Sequence, residues 1–420
     1  MMRTIYSVLW WLLLPLLPLR LWWRGRREPG YRMNVGERFG FYDNAATARG
    51  AVWIHAVSLG ETRAIAPLVE RLQREMPARP ILLTHMTATG REAGRALFGK
   101  RVMQAWLPYD VPFAVKRFFA HFEPRAGLLV ETELWPNLTD AAARNGIPLL
   151  LVNARLSERS ARGYRRIASL ARPLLQTLAG IAAQSNADAK RLRDLGARDV
   201  VVTGNLKFDV DATPAQRERG AALREMFGAA RAVLTLASTR DGEEALLLDA
   251  LARAAALPPT TLVVIVPRHP QRFDAVEALL HERNIRHVRR SANVAVDAST
   301  RVVLGDSVGE MLAYYTASDV AFVGGSLLPL GGQNLIEPIA VGVPTLIGPH
   351  MFNFAAASDA AMAAGAALQV PDADQMFSVA ARLLDDGAER EHMRAAALEF
   401  IATHRGAIDR LWRWLGPRLG

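Results

Sequence analysis

The chain has 420 residues, half of them hydrophobic, with 51 Lys and Arg against 41 Asp and Glu and no cysteine. That length supports two or three domains with sizeable cores, and the missing cysteines exclude disulfides and thiolate metal sites. The formal charge of +10 favours phosphorylated ligands or an anionic surface, while no zinc-finger spacing or aromatic-interleaved basic stretch is present, so no nucleic acid is expected as a partner.

Residues 4–19 carry no charge; Arg20 interrupts, Leu21-Trp22-Trp23 resumes the apolar run, and Arg24, Arg26 and Arg27 come next. A spanning helix needs about 20 apolar residues, and Pro15 and Pro18 are expected to break or bend one. No small-residue cleavage site is present after the run, which argues against a removed signal peptide. Trp10, Trp11, Trp22 and Trp23 beside arginines read as a membrane anchor, spanning or lying in the interface. A helix packed only on its own protein would leave these side chains needing a large covering surface. Arginines just after the apolar stretch favour the cytoplasmic side for the rest of the chain.

From residue 35 a short apolar run, a turn and an amphipathic stretch recur. The runs are 52–57, 80–84, 102–106, 127–130, 147–152, 180–183 and 200–203. Spacings of roughly 20 to 30 residues indicate βα units and a parallel sheet, with ligands beyond the carboxyl ends of the strands. Those ends collect Glu61, Glu131, Glu133, Arg155 and Lys207. Glu61 stands at a helix start, where it can serve as a general base or only stabilise its own helix. Two carboxylates in Glu131-Thr132-Glu133, after a buried strand, are costly unless they serve hydrogen bonding or chemistry.

Residues 211–224, with Pro214, read as a linker, and Asp209-Val210-Asp211 as part of it rather than as a metal site. Alternation resumes at 232–237, 261–266, 302–304, 319–323 and 343–347. Asp241-Gly242-Glu243-Glu244 reads as an acidic helix start, and Arg268 suits a phosphate or base contact. His269 reads as a capping donor or a catalytic group. The stretch 324–348, with glycine pairs 324–325 and 331–332, reads as strand, glycine loop, short helix and strand. Its backbone N–H groups and helix end are expected to hold a phosphate, with Glu337 placed to accept from a ribose.

Several blocks then carry a resemblance: Gly36 to Tyr42, Val57 to Glu61, Glu131 to Asn137, Asn153 to Ser157, Gly204 to Asp209, Val266 to Pro270 and the GGSLLPLGGQNLIEP stretch. In this order they resemble the 3-deoxy-D-manno-octulosonic acid (Kdo) transferases of lipopolysaccharide synthesis, over nearly the whole chain. One departure is Gln333, where the family pattern often has His.

The resemblance implies an α/β chain of GT-B type: two Rossmann-like doubly wound domains facing a cleft, with an N-terminal hydrophobic membrane-anchor helix. The expected organisation is an anchor and basic linker over 1–34, an acceptor-binding domain over 35–210 and a linker over 211–224. A CMP-sugar-binding domain over 225–400 and a C-terminal helix over 401–420, packing back on the first half, complete it.

It further implies inverting transfer of Kdo from CMP-Kdo to a lipid A precursor (lipid IVA) at the cytoplasmic face of the inner membrane. Glu61 would be the general base, with Glu131 and Lys207 stabilising the transition state. Pro267, Arg268, Val308, Gly309, Glu310, Asn334, Leu335, Ile336 and Glu337 would bind CMP. No metal or cofactor is implied, because helix dipoles and Arg268 can neutralise one phosphate. The basic residues Arg24, Arg26, Arg27 and Arg32 would meet the inner-membrane lipid surface.

The alternative on the same scaffold is a transferase with a nucleotide-diphosphate sugar donor. A sugar-nucleotide epimerase would leave the apolar N-terminus unexplained, and a non-enzymatic scaffold would leave the carboxylates unexplained.

Overall fold

A computed structural model of the chain describes residues 2–26, 28–43, 49–210 and 212–420. The N-terminus is helical over Met2–Arg24, 23 residues long and apolar enough to cross a membrane. It runs as α-helix over Met2–Leu13 and Leu17–Arg24 with one 3-10 turn at Leu14–Leu16. Pro15 and Pro18 each fall in the first turn of their segment, where no intrahelical N–H bond is lost. The prolines therefore tighten the helix locally and do not break it.

Two faces of this helix differ. Leu17 and Leu21 are buried with Tyr31, Tyr109 and Val111, and the Trp10 and Trp11 rings lie 5.9 Å from Tyr109 and 5.3 Å from Phe113. Leu12, Leu19 and Trp23 stay 69%, 65% and 62% exposed. Arg24 lies over Tyr31, and Arg26 and Arg32 over Trp22, at 4.3, 4.3 and 5.6 Å. Arg27 lies outside the described residues.

The Gly36 to Tyr42 block leads from this helix into the first sheet and is fastened to it by charge and stacking. Glu37 pairs with Arg91 at 2.9 and 3.2 Å and accepts from the Trp106 N–H at 2.7 Å. The Arg38 guanidinium stacks 3.9 Å over the Trp106 ring. Gly40 has φ +80°, and a Cβ there would meet the Ala114 carbonyl oxygen at 2.7 Å, so glycine is required.

Contacts divide the chain into two compact units, Met1–Asp209 with Gly406–Gly420, which includes the N-terminal helix, and Val210–Arg405. The first is a seven-stranded sheet of β1 (Val52–His55), β2 (Ile81–His85), β3 (Met103–Trp106), β4 (Ala126–Val130), β5 (Leu149–Ala154), β6 (Gly180–Ala183) and β7 (Val200–Val202). Its strands are all parallel, in the order β3-β2-β1-β4-β5-β6-β7. Alternate residues point to opposite faces. Trp53, Leu82 and Phe118 pack on one face. On the other, Ile54, Leu68 and Leu83 pack with Leu411 and Leu415 of the helix Ala407–Leu419.

The second unit holds β8 (Val233–Thr239), β9 (Leu262–Pro267), β10 (His287–Arg289), β11 (Val302–Leu304), β12 (Val320–Val323), β13 (Thr345–Ile347) and β14 (Ala367–Gln369). These strands are also parallel, in the order β10-β11-β9-β8-β12-β13-β14. The apolar runs of the sequence reach every strand except β10 and β14. Both are three-residue edge strands with polar or half-exposed side chains, so neither offers a run to read.

The stretch expected as a linker is instead helix over Pro214–Phe227, opened by a Thr213–Gln216 capping box. It packs through Leu223 and Phe227 against Val233 and Leu262. Asp209 is not a solvated linker residue either: its carboxylate accepts from the N–H groups of Gly406, at 2.6 Å, and Ile408, capping the C-terminal helix. Asp211 lies outside the described residues.

Candidate active site

In the first unit the strand order reverses between β1 and β4, and a crevice beyond the strand ends is where such sheets bind ligands. Glu61 comes after β1 and Glu131 after β4. Ser58 caps the helix Leu59–Ala64. The Glu61 carboxylate accepts from the Val57 N–H at 2.8 Å and the Ser58 hydroxyl at 2.7 Å. Glu61 is thus part of its own helix cap and also a fixed carboxylate at the crevice. Burial pushes its carboxyl above the usual range and the Glu131 charge adds to this; the Ser58 and Val57 bonds and the Lys207 charge oppose it.

Glu131 sits at φ +61°, a left-handed conformation that a glutamate rarely adopts. It accepts from Lys207 Nζ at 3.0 Å, both side chains about a quarter exposed. The turn carrying Lys207 hangs on Asn153, whose Oδ1 accepts from the Leu206 N–H at 3.0 Å. Asn153 is fully buried with φ +52°. Glu133 feels both neighbouring carboxylates. Burial, with the Glu61 and Glu131 charges adding, raises its carboxyl to about 7.

The structure therefore gathers Glu61, Glu131, Glu133 and Lys207. Arg155 joins through its carbonyl, which accepts from the Thr132 hydroxyl. Ser58 and Asn153 are positioning residues to which the sequence alone gave no role. An Asn at a strand end before Ala-Arg was the available signal, because Asn tolerates the left-handed region.

In the second unit the order reverses between β8 and β12. Pro267 ends β9, and the Arg268 N–H donates to the Thr239 carbonyl at the end of β8 at 2.9 Å. Arg268 Nε donates to Gln333 Oε1 at 3.1 Å, so the departure from the family pattern still supplies a partner that orients this guanidinium. Asn334 Nδ2 donates to Glu337 Oε1 at 3.0 Å. Leu335 and Ile336 are buried at 0% and 1% exposure, which leaves only their backbone to meet a ligand. Val308 is 78% exposed, Gly309 has φ +84°, and Glu310 pairs with Arg219 and Arg290 at 3.4 and 3.7 Å. His269 is exposed; partial desolvation and the neighbouring charges of Arg240 and Arg268 lower its imidazole.

The first glycine pair departs from its expected role. The buried Glu243 carboxylate accepts from the N–H groups of Gly325 at 2.6 Å and of Ser326 and Leu327 at 3.1 Å. It also accepts from Arg240 at 3.2 Å. Gly332 and Gln333 N–H groups donate to Gly325 and Gly324 carbonyls at 2.7 and 3.1 Å. The donors expected to cradle a phosphate are thus taken by an internal carboxylate, which the sequence offered only as an acidic helix start.

Among the described residues Glu277, His281 and His287 bring ligand atoms within 4.8 Å of one another. Glu277 is engaged by Arg289 at 2.6 and 2.7 Å. A hollow of about 430 Å³ near Arg231, Pro258 and Leu384 lies at the N-terminal ends of β8 and β9, opposite the ends that carry Thr239 and Arg268.

Residues 33–210 match the family model described as 3-deoxy-D-manno-octulosonic-acid transferase (kdotransferase). The 3-deoxy-D-manno-octulosonic acid transferase of Bordetella pertussis is 45% identical over 99% of this chain and 100% of its own. That of Haemophilus influenzae is 37% identical over 100% of this chain and 99% of its own. Among solved structures, UDP-GlcNAc 2-epimerase from Neisseria meningitidis aligns with TM-score 0.59 at 15% identity, over 87% of this chain and 100% of that one. Anabaena Alr3699/HepE in complex with UDP aligns with TM-score 0.57 at 14% identity, over 88% and 99%. These two likenesses concern the fold, the two-domain GT-B arrangement of parallel sheets. With full-length relatives at this identity and that fold, the chain is a glycosyltransferase and belongs to the 3-deoxy-D-manno-octulosonic acid transferase family.

Proposed function

We propose that the chain moves Kdo from CMP-Kdo onto a hydroxyl of a lipid A precursor (lipid IVA), with inversion, at the cytoplasmic face of the inner membrane. The observation that carries this reading is the carboxylate–lysine group at the β1/β4 crevice: Glu61 held by two hydrogen bonds, beside Glu131 paired with Lys207 at 3.0 Å. Glu61 takes the proton of the acceptor hydroxyl as its oxygen bonds to the anomeric carbon. The bond from that carbon to the CMP phosphate breaks, and CMP leaves with the electron pair. Glu131 stabilises positive charge developing at the anomeric carbon, and Lys207, paired with it at 3.0 Å, fixes its carboxylate in place. Arg268, Glu310 and the Asn334–Glu337 pair serve the nucleotide, with Arg268 meeting its phosphate.

A lipid acceptor agrees with the N-terminal helix. One face is docked on Tyr109 and Phe113 and the other exposes Leu12, Leu19 and Trp23. A helix fixed to its own globular unit along one side is suited to lie in the membrane interface rather than cross it. The test is product analysis by mass spectrometry, with full-length protein in detergent, tetra-acylated lipid A precursor and CMP-Kdo. Added mass in whole Kdo units is expected. Folded protein with both substrates intact after incubation overturns the reading.

A further inference from the structure

The loop Glu131 to Trp135 has two sides. Glu131 faces Lys207, while Glu133, Leu134 and Trp135 line a cavity of about 260 Å³. The remaining wall is mostly apolar: Tyr6 of the N-terminal helix, Tyr164 of the helix Glu158–Arg166, Leu170 and Leu174 of the helix Ala168–Thr177, and Ile167 between those two helices. Ser7, next to Tyr6, donates to Asn137 Oδ1 at 2.9 Å, which seats the N-terminal helix beside the cavity. Over 155–172 the chain carries six arginines and one acid, Glu158, which Arg165 engages at 2.7 Å. Arg159, Arg162 and Arg166 are exposed on the helix that supplies Tyr164.

We propose that this cavity receives one acyl chain of the lipid acceptor, with the arginines of the helix Glu158–Arg166 meeting the acceptor's phosphate. The inference rests on the lipid-acceptor reading above and adds a subsite to it. Three observations select this occupant. The wall is mostly apolar, and its volume of about 260 Å³ admits a segment of alkyl chain. The cationic helix beside it complements an anionic amphiphile and would be superfluous for a neutral one. The cavity is joined to the reacting centre by only a few residues of backbone, and to the membrane-directed helix through Tyr6. A chain held there places the headgroup hydroxyl near Glu61 and Glu131, which is how remote binding energy is used for orientation.

The test uses the full-length wild-type protein in detergent and a tetra-acylated precursor carrying a diazirine near the end of one acyl chain. Photolabelling is expected in the peptides containing Glu133–Trp135 and Tyr164–Leu174. Unlabelled precursor should suppress it and phosphatidylglycerol should not. Leu170→Trp, which fills the cavity, should raise the acceptor KM about tenfold or more by excluding several methylenes, with the CMP-Kdo KM unchanged. Label confined to the exposed face of the N-terminal helix, or suppressed equally by phosphatidylglycerol, overturns the proposal even while wild-type turnover continues. Absence of Kdo transfer to the unlabelled precursor by wild type would instead remove the acceptor reading, and the subsite with it. The labelling pattern needs no variant, so it decides the matter even if Leu170→Trp fails to fold.

Discussion

Glu61→Gln separates the helix-cap contacts of Glu61 from its proposed role as general base. In the folded chain the carboxylate accepts from the Val57 N–H at 2.8 Å and the Ser58 hydroxyl at 2.7 Å. A carboxamide can keep both contacts: its oxygen accepts from Val57, and its NH2 donates to Ser58 Oγ after the hydroxyl turns. The cap therefore survives, and removing a desolvated carboxylate beside Glu131 costs nothing in stability at pH 8. A general base contributes typically 10²- to 10⁴-fold, which is about 2.7–5.4 kcal/mol of barrier. Turnover of the Gln variant should fall by that factor, while CMP affinity and melting temperature stay at wild-type values. Glu61→Ala should lose the activity and also about 1–2 kcal/mol of stability, because both cap bonds disappear. Wild-type kcat/KM should rise with pH through a value above the ordinary carboxylate range, since burial and Glu131 favour the protonated form. Radiolabelled transfer across pH 4–9, calorimetric CMP titration and thermal melts measure these. Near-wild-type turnover by Glu61→Gln with normal CMP binding would refute the assignment.

Lys207→Met removes the charge that lowers the Glu61 carboxyl and pairs with Glu131 at 3.0 Å. Turnover should fall about 10²-fold, and the acid limb of the pH profile should move to higher pH; an unmoved limb contradicts the coupling. Glu133 holds its proton to about pH 7 in the folded chain, above its ordinary value. Its contribution to stability is thus full below the ordinary glutamate range and is lost as pH rises through 7, about 3 kcal/mol at most. Glu133→Gln should flatten that dependence in urea titrations between pH 4 and 9. Glu243→Ala strips the acceptor from four N–H groups, three of them in the glycine loop. Each buried orphan costs about 1–3 kcal/mol, so the second unit should unfold well before the first in a thermal scan. A single unshifted transition counts against this role.

The family blocks were legible because each is a short run at a strand end, where chain order alone says which residues meet a ligand in a parallel sheet. Glu61, Glu131, Lys207 and Arg268 were read that way. Neighbours in space but not in sequence were not legible. Gln333 orients Arg268 from 65 residues away, and Asn153 sets the Lys207 turn from 53 residues before Leu206.

The alternation of apolar runs by itself determined the two βα halves, because a strand buried on both faces must be continuously apolar. It could not determine the edge strands β10 and β14, which lack a second buried face, nor the helix over 214–227, whose Pro214 serves at a helix start and not in a linker. Only the tertiary structure decided what meets the glycine loop. Glycine pairs announce close backbone approach but not by what, and here Glu243, some 80 residues earlier, supplies the acceptor that the loop's N–H groups require.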